Sequence, residues 1–532
     1  MLAAAWLFGA FVATAFAQHI SKYQLRSMQV EAAERWRANN EISPDLLRLR
    51  RSEQRSKRMT FQNPKAAEFL VDGKSIPEVD FDVGPSYSGL LPISGDQNET
   101  RKASNLVLYH KVYANGAMTQ LFFWFFPPGP QGSQDDLIFW TNGGPGCSSL
   151  AGLLQENGPI SWSWGQAKPT ENEFSWTNLS SVLWVEQPVG TGFSQGQANI
   201  DNEDDLAKQV VGFMQQFLNV FSELKGKKLY LTGESYAGMY IPYIANYIYE
   251  NPTALDLSLQ GIWLGGPAFG WDAVAIEAPA VNFVHKYENI FGFNQSFMQQ
   301  LDQRAESCHY TDYLQKYISY PPPPAPFPLP GSSVEFDEGC DVWSDIVGAA
   351  LLLNPAFNVY RIYDVYPVLW DVLGFPGTFP QIQVDPVYFN RDDVKRAIHA
   401  PVETQWTECI GQSHVFTAAG DTSTPAAYSV LPNVIEKSQR SVIVHGLGDF
   451  SLIAEGTRII LQNMTWNGKQ GFQSALQTDS FVIDGVGAAG NVQSERGLTY
   501  YEAKITGHMI PQFNPKAGYQ SMQYLMGFRN TP

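Results

Sequence analysis

The chain has 532 residues, of which 44% are hydrophobic and 16% charged, enough for a large buried core and unlike a disordered or fibrous chain. Its net charge of −17 excludes the basic face that nucleic acids require and favours solubility instead. The length allows several domains, or equally one α/β core carrying a long insertion.

Residues 1–17 form an apolar run ending in Ala15-Phe16-Ala17, the pattern of a signal peptide cleaved before Gln18. A basic start is missing, and an N-terminal membrane anchor is the alternative, for which the run is short. No later segment is apolar for long enough to cross a bilayer, so the chain reads as secreted or lumenal, extracellular or vacuolar, with no membrane association once the leader is gone. Residues 18–58 hold ten Lys or Arg against five acids and end in Lys57-Arg58. They read as a basic pro-segment cut at a dibasic site, with a retained surface helix as the alternative; their loss would move the net charge to about −22. Residues 59–532 are left as the catalytic unit. Sequons at Asn98, Asn178, Asn294 and Asn463 suggest a glycosylated surface in that compartment.

Four cysteines in an oxidising compartment allow two disulfides in three pairings. Cys308 and Cys340 flank a proline-rich loop that a local staple would restrain, which would leave Cys147 for Cys409. The absence of C-x-x-C and H-E-x-x-H, with histidines scattered along the chain, calls for no metal and no cofactor.

From residue 106 onward, strand and helix patterns alternate. Strands are predicted at 106–113, 121–126, 137–140, 181–185, 229–232 and 261–264, with helices at 206–221 and 240–249. Residues 270–409, rich in Pro, Tyr and acids, break the alternation, which resumes with strands at 441–444 and 500–505 and a helix from 515. This is the pattern of a mostly parallel central sheet with helices on both faces and a large insertion. Such an insertion usually forms a lid over the carboxyl edge, where α/β ligands bind.

The turn Gly233-Glu234-Ser235-Tyr236-Ala237-Gly238 joins a predicted strand to a predicted helix. A serine on such a turn is the nucleophile elbow of α/β-hydrolases, although Ala237 breaks the strict G-x-S-x-G pattern. An activated serine needs a base and an acid to orient it, both downstream in this chain order. His508 follows the last predicted strand and is the only one of eight histidines after Asp449, which itself follows the strand at 441–444. Upstream, the paired glycines of the run at 139–149 allow backbone N–H groups to approach a substrate, as a second oxyanion donor requires.

WTNGGPGCSS, Glu156-Asn-Gly-Pro, Glu186-Gln-Pro-Val-Gly-Thr-Gly-Phe-Ser, GESYAG and Gly507-His-Met-Ile-Pro, in this order, resemble the serine carboxypeptidase family over residues 85–525. The resemblance implies an α/β-hydrolase fold with Ser235, Asp449 and His508 as triad and the N–H groups of Gly144 and Tyr236 as oxyanion hole. It also implies that Trp140, Asn142, Gly143, Glu156 and Glu234 recognise the free α-carboxylate of a peptide, and it supports the Cys147–Cys409 pairing. Two carboxyl groups facing a carboxylate cannot all be ionised, so at least one is expected to keep its proton and the working range to be acidic. The chain departs from the family at Leu447, where an acid is common, at Ser451, Leu452 and Ile453, where some members carry a cysteine, and at Gly265-Gly266-Pro267 in place of G-N-G. The expected activity is therefore serine-type removal of the last residue of peptides and proteins through an acyl-enzyme. An acyltransferase or esterase using the same triad, and a non-catalytic binding homologue, are the alternatives.

Overall fold

The computed structural model describes Met59 and residues 61–96, 119–330, 338–364, 370–374, 387–417, 420–483 and 485–532, all within the unit Arg58–Pro532. The leader, the basic segment, the sequon at Asn98 and the strand predicted at 106–113 lie outside the described residues.

The strands of the main sheet are β1 (Leu70–Val71), β2 (Ser86–Pro92), β3 (Gln120–Phe126), β4 (Ser133–Thr141), β5 (Ser180–Glu186), β6 (Lys228–Glu234), β7 (Ser258–Gly265), β8 (Arg440–Gly446), β9 (Gln477–Ile483), β10 (Gly487–Glu495) and β11 (Leu498–Ala503). They lie in the order β1-β2-β3-β5-β4-β6-β7-β8-β11-β10-β9. The six in the middle, β5 to β11, run parallel, and the pairings at both flanks are antiparallel. The parallel strands are covered on both faces, which is why they read as continuous apolar runs.

Successive side chains still divide between the faces. Leu137 and Phe139 of β4, Leu183 and Val185 of β5 and Leu231 of β6 pack on the same side as Phe213 and Phe217 of α2 (Glu203–Val220) and Ile241 of α3 (Ala237–Glu250). Ile138, Trp140, Val182 and Trp184 point the other way, toward Leu150 and Leu153 of α1 (Ser149–Gln155). Helix α2 starts a turn before the predicted position because the Asn202 side chain caps it, accepting from Asp205 N, and three acids in its first turn suit the positive end of the helix dipole.

Between β7 and β8 the described residues form no strand. Helices α4 (Ala278–Lys286), α5 (Gln295–Ser307), α6 (Tyr310–Tyr317) and α7 (Val342–Leu353) occupy the first part, and the Cys308–Cys340 disulfide joins the end of α5 to the residues before α7. The end of the predicted insertion is core rather than cover. Phe389 and Trp406 are buried with ring centroids 5.0 Å apart, and Cys409 is bonded to Cys147. The β9–β10 hairpin was not predicted, since its strands are polar and glycine-rich; it is held by pairing with β11 and by Phe481 against Tyr501. After β8 and β11 come α8 (Ala454–Asn463) and α9 (Pro515–Leu525). Among the described residues, no helix is long and apolar enough to cross a membrane.

Beneath the carboxyl edge, Trp140, Trp176 and Trp263 are fully buried and meet with centroids 5.3 to 6.0 Å apart, and the Trp263 indole donates to Ser521 Oγ. Trp263→Ala should leave a cavity and lower the unfolding free energy by about 3–5 kcal/mol, read from the midpoint of urea unfolding.

Candidate active site

Four parallel strands end at one edge of the sheet. Strand β4 leads into Asn142 and Gly143, β6 into Ser235, β8 into Asp449 and β11 into His508. The carboxyl edge of a parallel sheet is where successive loops can meet without crossing a strand.

Ser235 has φ of +60°, a conformation in which a non-glycine residue is strained and must be held. Its N–H donates to Gly265 O of β7 (2.9 Å), and its carbonyl accepts from Gly238 N and Ala268 N (2.9 Å each). The departure from G-x-S-x-G has a packing explanation. A Cβ at Gly233 would lie 2.6 Å from the Ala237 methyl and 2.5 Å from Thr141 O, and one at Gly238 would lie 2.7 Å from Ala268 O. The glycines thus stand where backbones touch, and the methyl of Ala237 fills the space between. A Cβ at Gly143 would meet Tyr236 N at 2.3 Å, so only glycine lets this loop lie against the elbow.

His508 and Asp449 are both buried, with Nδ1 2.7 Å from Asp449 Oδ2. The other carboxylate oxygen accepts from Leu452 N (3.0 Å). Burial pushes the Asp449 carboxyl up, but the charge of His508 and hydrogen bonds from His445 and His508 outweigh it and hold Asp449 below its ordinary value. Burial likewise lowers His508, and Asp449 raises it above its ordinary value on balance. His508 Nε2 is buried, has no hydrogen-bond partner among the described residues, and His508 lines the same cavity as Ser235. Gly266 permits this packing, since a Cβ there would sit 3.1 Å from His508 Nδ1. A residue that chain order set aside also belongs here. His445 is fully buried, and its Nε2 lies 3.0 Å from Leu452 O, so it carries the proton there, 3.4 Å from Asp449 Oδ2.

Beside the serine, the Asn142 side chain is oriented by its acceptor. Its Oδ1 takes the Trp140 indole N–H (2.8 Å) and Gly152 N (3.2 Å), which leaves Nδ2 to donate to Glu234 Oε1 (2.7 Å) and Glu156 Oε1 (3.1 Å). Gly152, which the sequence did not single out, is needed for this: a Cβ there would lie 2.3 Å from the indole nitrogen. Both glutamates are buried, and apart from each other's carboxyl no side chain or backbone N–H of the described residues donates to either Oε2. Burial pushes Glu156 up to about 7 against the hydrogen bonds of Glu234 and Asn142, and burial together with the neighbouring Glu156 raises Glu234 well above the carboxylate range. The pair thus holds at least one proton at neutral pH.

A third buried glutamate explains the E-Q-P-V-G run. Glu186 accepts from Ser148 Oγ, from Phe193 N (2.6 Å) and from the Trp406 indole (3.2 Å), locking the glycine loop to its neighbours. The cavity itself is about 320 Å³ and is lined by Asn142, Gly144, Glu156, Glu234, Ser235 and His508 among others. Trp164, Tyr360 and Glu408, outside any motif, also line it, as does Gln512 directly after the Gly507-His-Met-Ile-Pro run. Of the described sequons, Asn294 is exposed, while Asn178 and Asn463 are half-buried, the latter accepting from Phe327 N.

A family model described as serine carboxypeptidase matches residues 105–320 and 375–527. A probable serine carboxypeptidase of Arthroderma benhamiae is 41% identical over 486 residues, covering 87% of each chain. Serine-type carboxypeptidase F of Aspergillus niger is 38% identical over 499 residues, 88% of this chain and 89% of that one. The crystal structure of KEX1(delta)p, a prohormone-processing carboxypeptidase of Saccharomyces cerevisiae, shares the fold with a TM-score of 0.64 at 21% identity, covering 87% of this chain and 97% of that one.

The raised Glu156 has a consequence for stability. A carboxyl that binds its proton more tightly when folded contributes fully below its ordinary value of 4.5, and the contribution is lost as pH rises toward about 7. Stability should therefore decline between those values, and Glu156→Gln should flatten the decline by about 1 kcal/mol or more, measured by urea unfolding at the two limits.

Proposed function

The chain belongs to the serine carboxypeptidase family, and from that premise we propose that it hydrolyses the last peptide bond of peptides and proteins bearing a free C-terminal carboxylate, working best at acidic pH. The observation that carries this reading is the Asn142 amide shared by two buried glutamates, in one cavity with Ser235 and His508. A protonated carboxyl beside an amide donor suits a substrate carboxylate, which needs donors and would be repelled by ionised acids.

In this mechanism the substrate carboxylate takes hydrogen bonds from Asn142 and the protonated member of the Glu156–Glu234 pair, with Gly143 leaving room for the approach. That fixes the last carbonyl over the elbow. Ser235 Oγ attacks the carbonyl carbon while His508 Nε2 takes its proton; Asp449 orients the imidazole through Nδ1 and stabilises it when charged. The N–H groups of Gly144 and Tyr236 donate to the oxyanion. As the tetrahedral intermediate collapses, the C–N bond breaks and His508 delivers its proton to the departing amine, leaving an ester on Ser235. Water, deprotonated by His508, then attacks the ester and restores the serine. Raising pH ionises the carboxyl pair and weakens peptide binding, which gives the acidic range.

The two disulfides suit an oxidising compartment and support the secreted or lumenal reading, as does the leader-like sequence of residues 1–17. Processing after the dibasic pair at 57–58 would release the unit from residue 59.

Hydrolysis of a blocked dipeptide, lost when the terminal carboxyl is amidated, tests the reading; equal cleavage of amide and acid would turn it toward an esterase or a general acyl hydrolase. Ser235→Ala should abolish turnover and labelling by a serine-directed organophosphate. Asp449→Asn should lower kcat by about 10⁴-fold. In Glu156→Gln with Glu234→Gln, the rise of peptide KM with pH should disappear; an unchanged pH dependence would remove the carboxyl pair from the mechanism.

A further inference from the structure

The site makes two opposed demands on pH. The Glu156–Glu234 pair has to hold a proton to receive a substrate carboxylate, while His508 Nε2 has to be without one to take the proton of Ser235. Asp449 works against the second demand, since its charge raises His508 above its ordinary value, and Glu156 adds to the effect. A base so placed would be charged over much of the range in which the carboxyl pair binds substrate.

A second imidazole stands on the same carboxylate, and the mechanism above does not use it. His445, in β8, is fully buried, and its Nε2 lies 3.4 Å from Asp449 Oδ2, the oxygen that also holds His508 Nδ1 at 2.7 Å. The ring is fixed from both ends. Leu452 O, 3.0 Å from Nε2, can only accept, and Thr457 Oγ1 of α8, 2.9 Å from Nδ1, can donate. Leu452 closes the arrangement, because its N–H donates to the other carboxylate oxygen, Asp449 Oδ1 (3.0 Å). His445 thus grips the residue that holds Asp449 and shares its N–H between that residue's carbonyl and Oδ2.

The charged groups on the neighbouring elements are paired among themselves. Glu502 of β11 lies opposite His445 in register and is bonded to Arg458 of α8 and Asn491 of β10, while Glu455 of α8 pairs with Lys286 of α4. On the other side, the Tyr360 ring lies 5.4 Å from the His508 ring, and burial keeps its hydroxyl protonated. Across the cavity, Glu156 is within electrostatic reach of His508 and Glu234 of Asp449.

We propose that His445 is a positioning residue of the triad: by donating to the oxygen that holds His508, it keeps Asp449 charged and limits its pull on the imidazole proton, so that His508 can act as a base at the acidic pH where the carboxyl pair binds substrate. This rests on the serine-peptidase reading above. In a dry site an N–H aimed at a carboxylate oxygen counts for more than in water, and an oxygen that accepts from two imidazoles holds each proton less tightly. His445 acts through Asp449 and not on the substrate.

The rate of Ser235 labelling by a serine-directed organophosphate, followed across pH and scaled to each variant's own maximum, isolates the base, because the reagent has no carboxylate for the glutamates to bind. Its acid limb reports the protonation of His508. His445→Leu and His445→Asn, which leave no donor at the position of Nε2, should move this limb up by about half a pH unit or more, a loss of about threefold in rate below it. His445→Gln, whose amide nitrogen takes the place of Nε2, should keep the limb within about 0.2 unit of the wild type. The assignment is overturned by a limb that stays in place in His445→Leu and His445→Asn, that moves down, or that moves as far in His445→Gln. Should His445→Leu fail to fold, the comparison of His445→Asn with His445→Gln decides. A wild type that the reagent labels at no pH removes the serine-peptidase reading itself; labelling with an unmoved limb removes only the role of His445.

Discussion

One side-chain amide organises the reactive edge of this molecule. Asn142 uses its oxygen on the Trp140 indole and Gly152 N, and that choice turns its nitrogen toward two buried glutamates at once. Two carboxyl groups in a low-dielectric site cannot both be charged. The amide offers each a donor, burial keeps a proton on the pair, and an acidic cluster becomes a place where an anion can bind. The tryptophans behind it give the amide its rigidity, since Trp140 is itself clamped between Trp176 and Trp263.

The same economy of contact sets the catalytic side. Ser235 is strained, and what holds it is backbone: β7 on one side, the turn into α3 on the other. Gly143 lies against Tyr236 N, Gly266 against the His508–Asp449 pair, and Gly152 against Asn142. Two loops and helix α1 meet here at close quarters: a methyl group would not fit at Gly143 or Gly152 and would crowd the pair at Gly266. A site assembled from four strand ends needs such close approaches, because each loop contributes only one or two groups.

Charge distribution follows the same logic. Glu186 is buried as fully as Glu156 and raised as far, yet it is surrounded by donors and serves to lock loops together. Glu156, Glu234 and Glu408 each keep an oxygen that, among the described residues, only a neighbouring carboxyl could satisfy, and all three face the cavity. A carboxyl oxygen that the protein leaves unsatisfied is open to a substrate donor, so the pattern of satisfaction, more than the presence of acids, separates structural from substrate-facing carboxyls.

Much of this was legible in the sequence, because apolar runs in buried parallel strands and glycine-rich turns leave local marks. The alternation of elements, the elbow at Ser235 and the chain order Ser, Asp, His needed no structure to be seen. The β9–β10 hairpin escaped, since its polar strands are stabilised by a neighbour rather than by their own pattern. Glu408, Tyr360 and Trp164 escaped for a related reason: each lies in an irregular or unremarkable stretch and reaches the site only because the chain returns there, whereas His445, in β8, was passed over because it precedes Asp449 in the chain. Which groups can do chemistry follows from residue type and local turn geometry, both of which are written in order along the chain. Only the tertiary structure decided how Asn142 is turned, which carboxyls remain unpaired and that Glu408 faces the cavity, because those depend on contacts between segments up to several hundred residues apart, held by packing and by the Cys147–Cys409 bond across 262 positions.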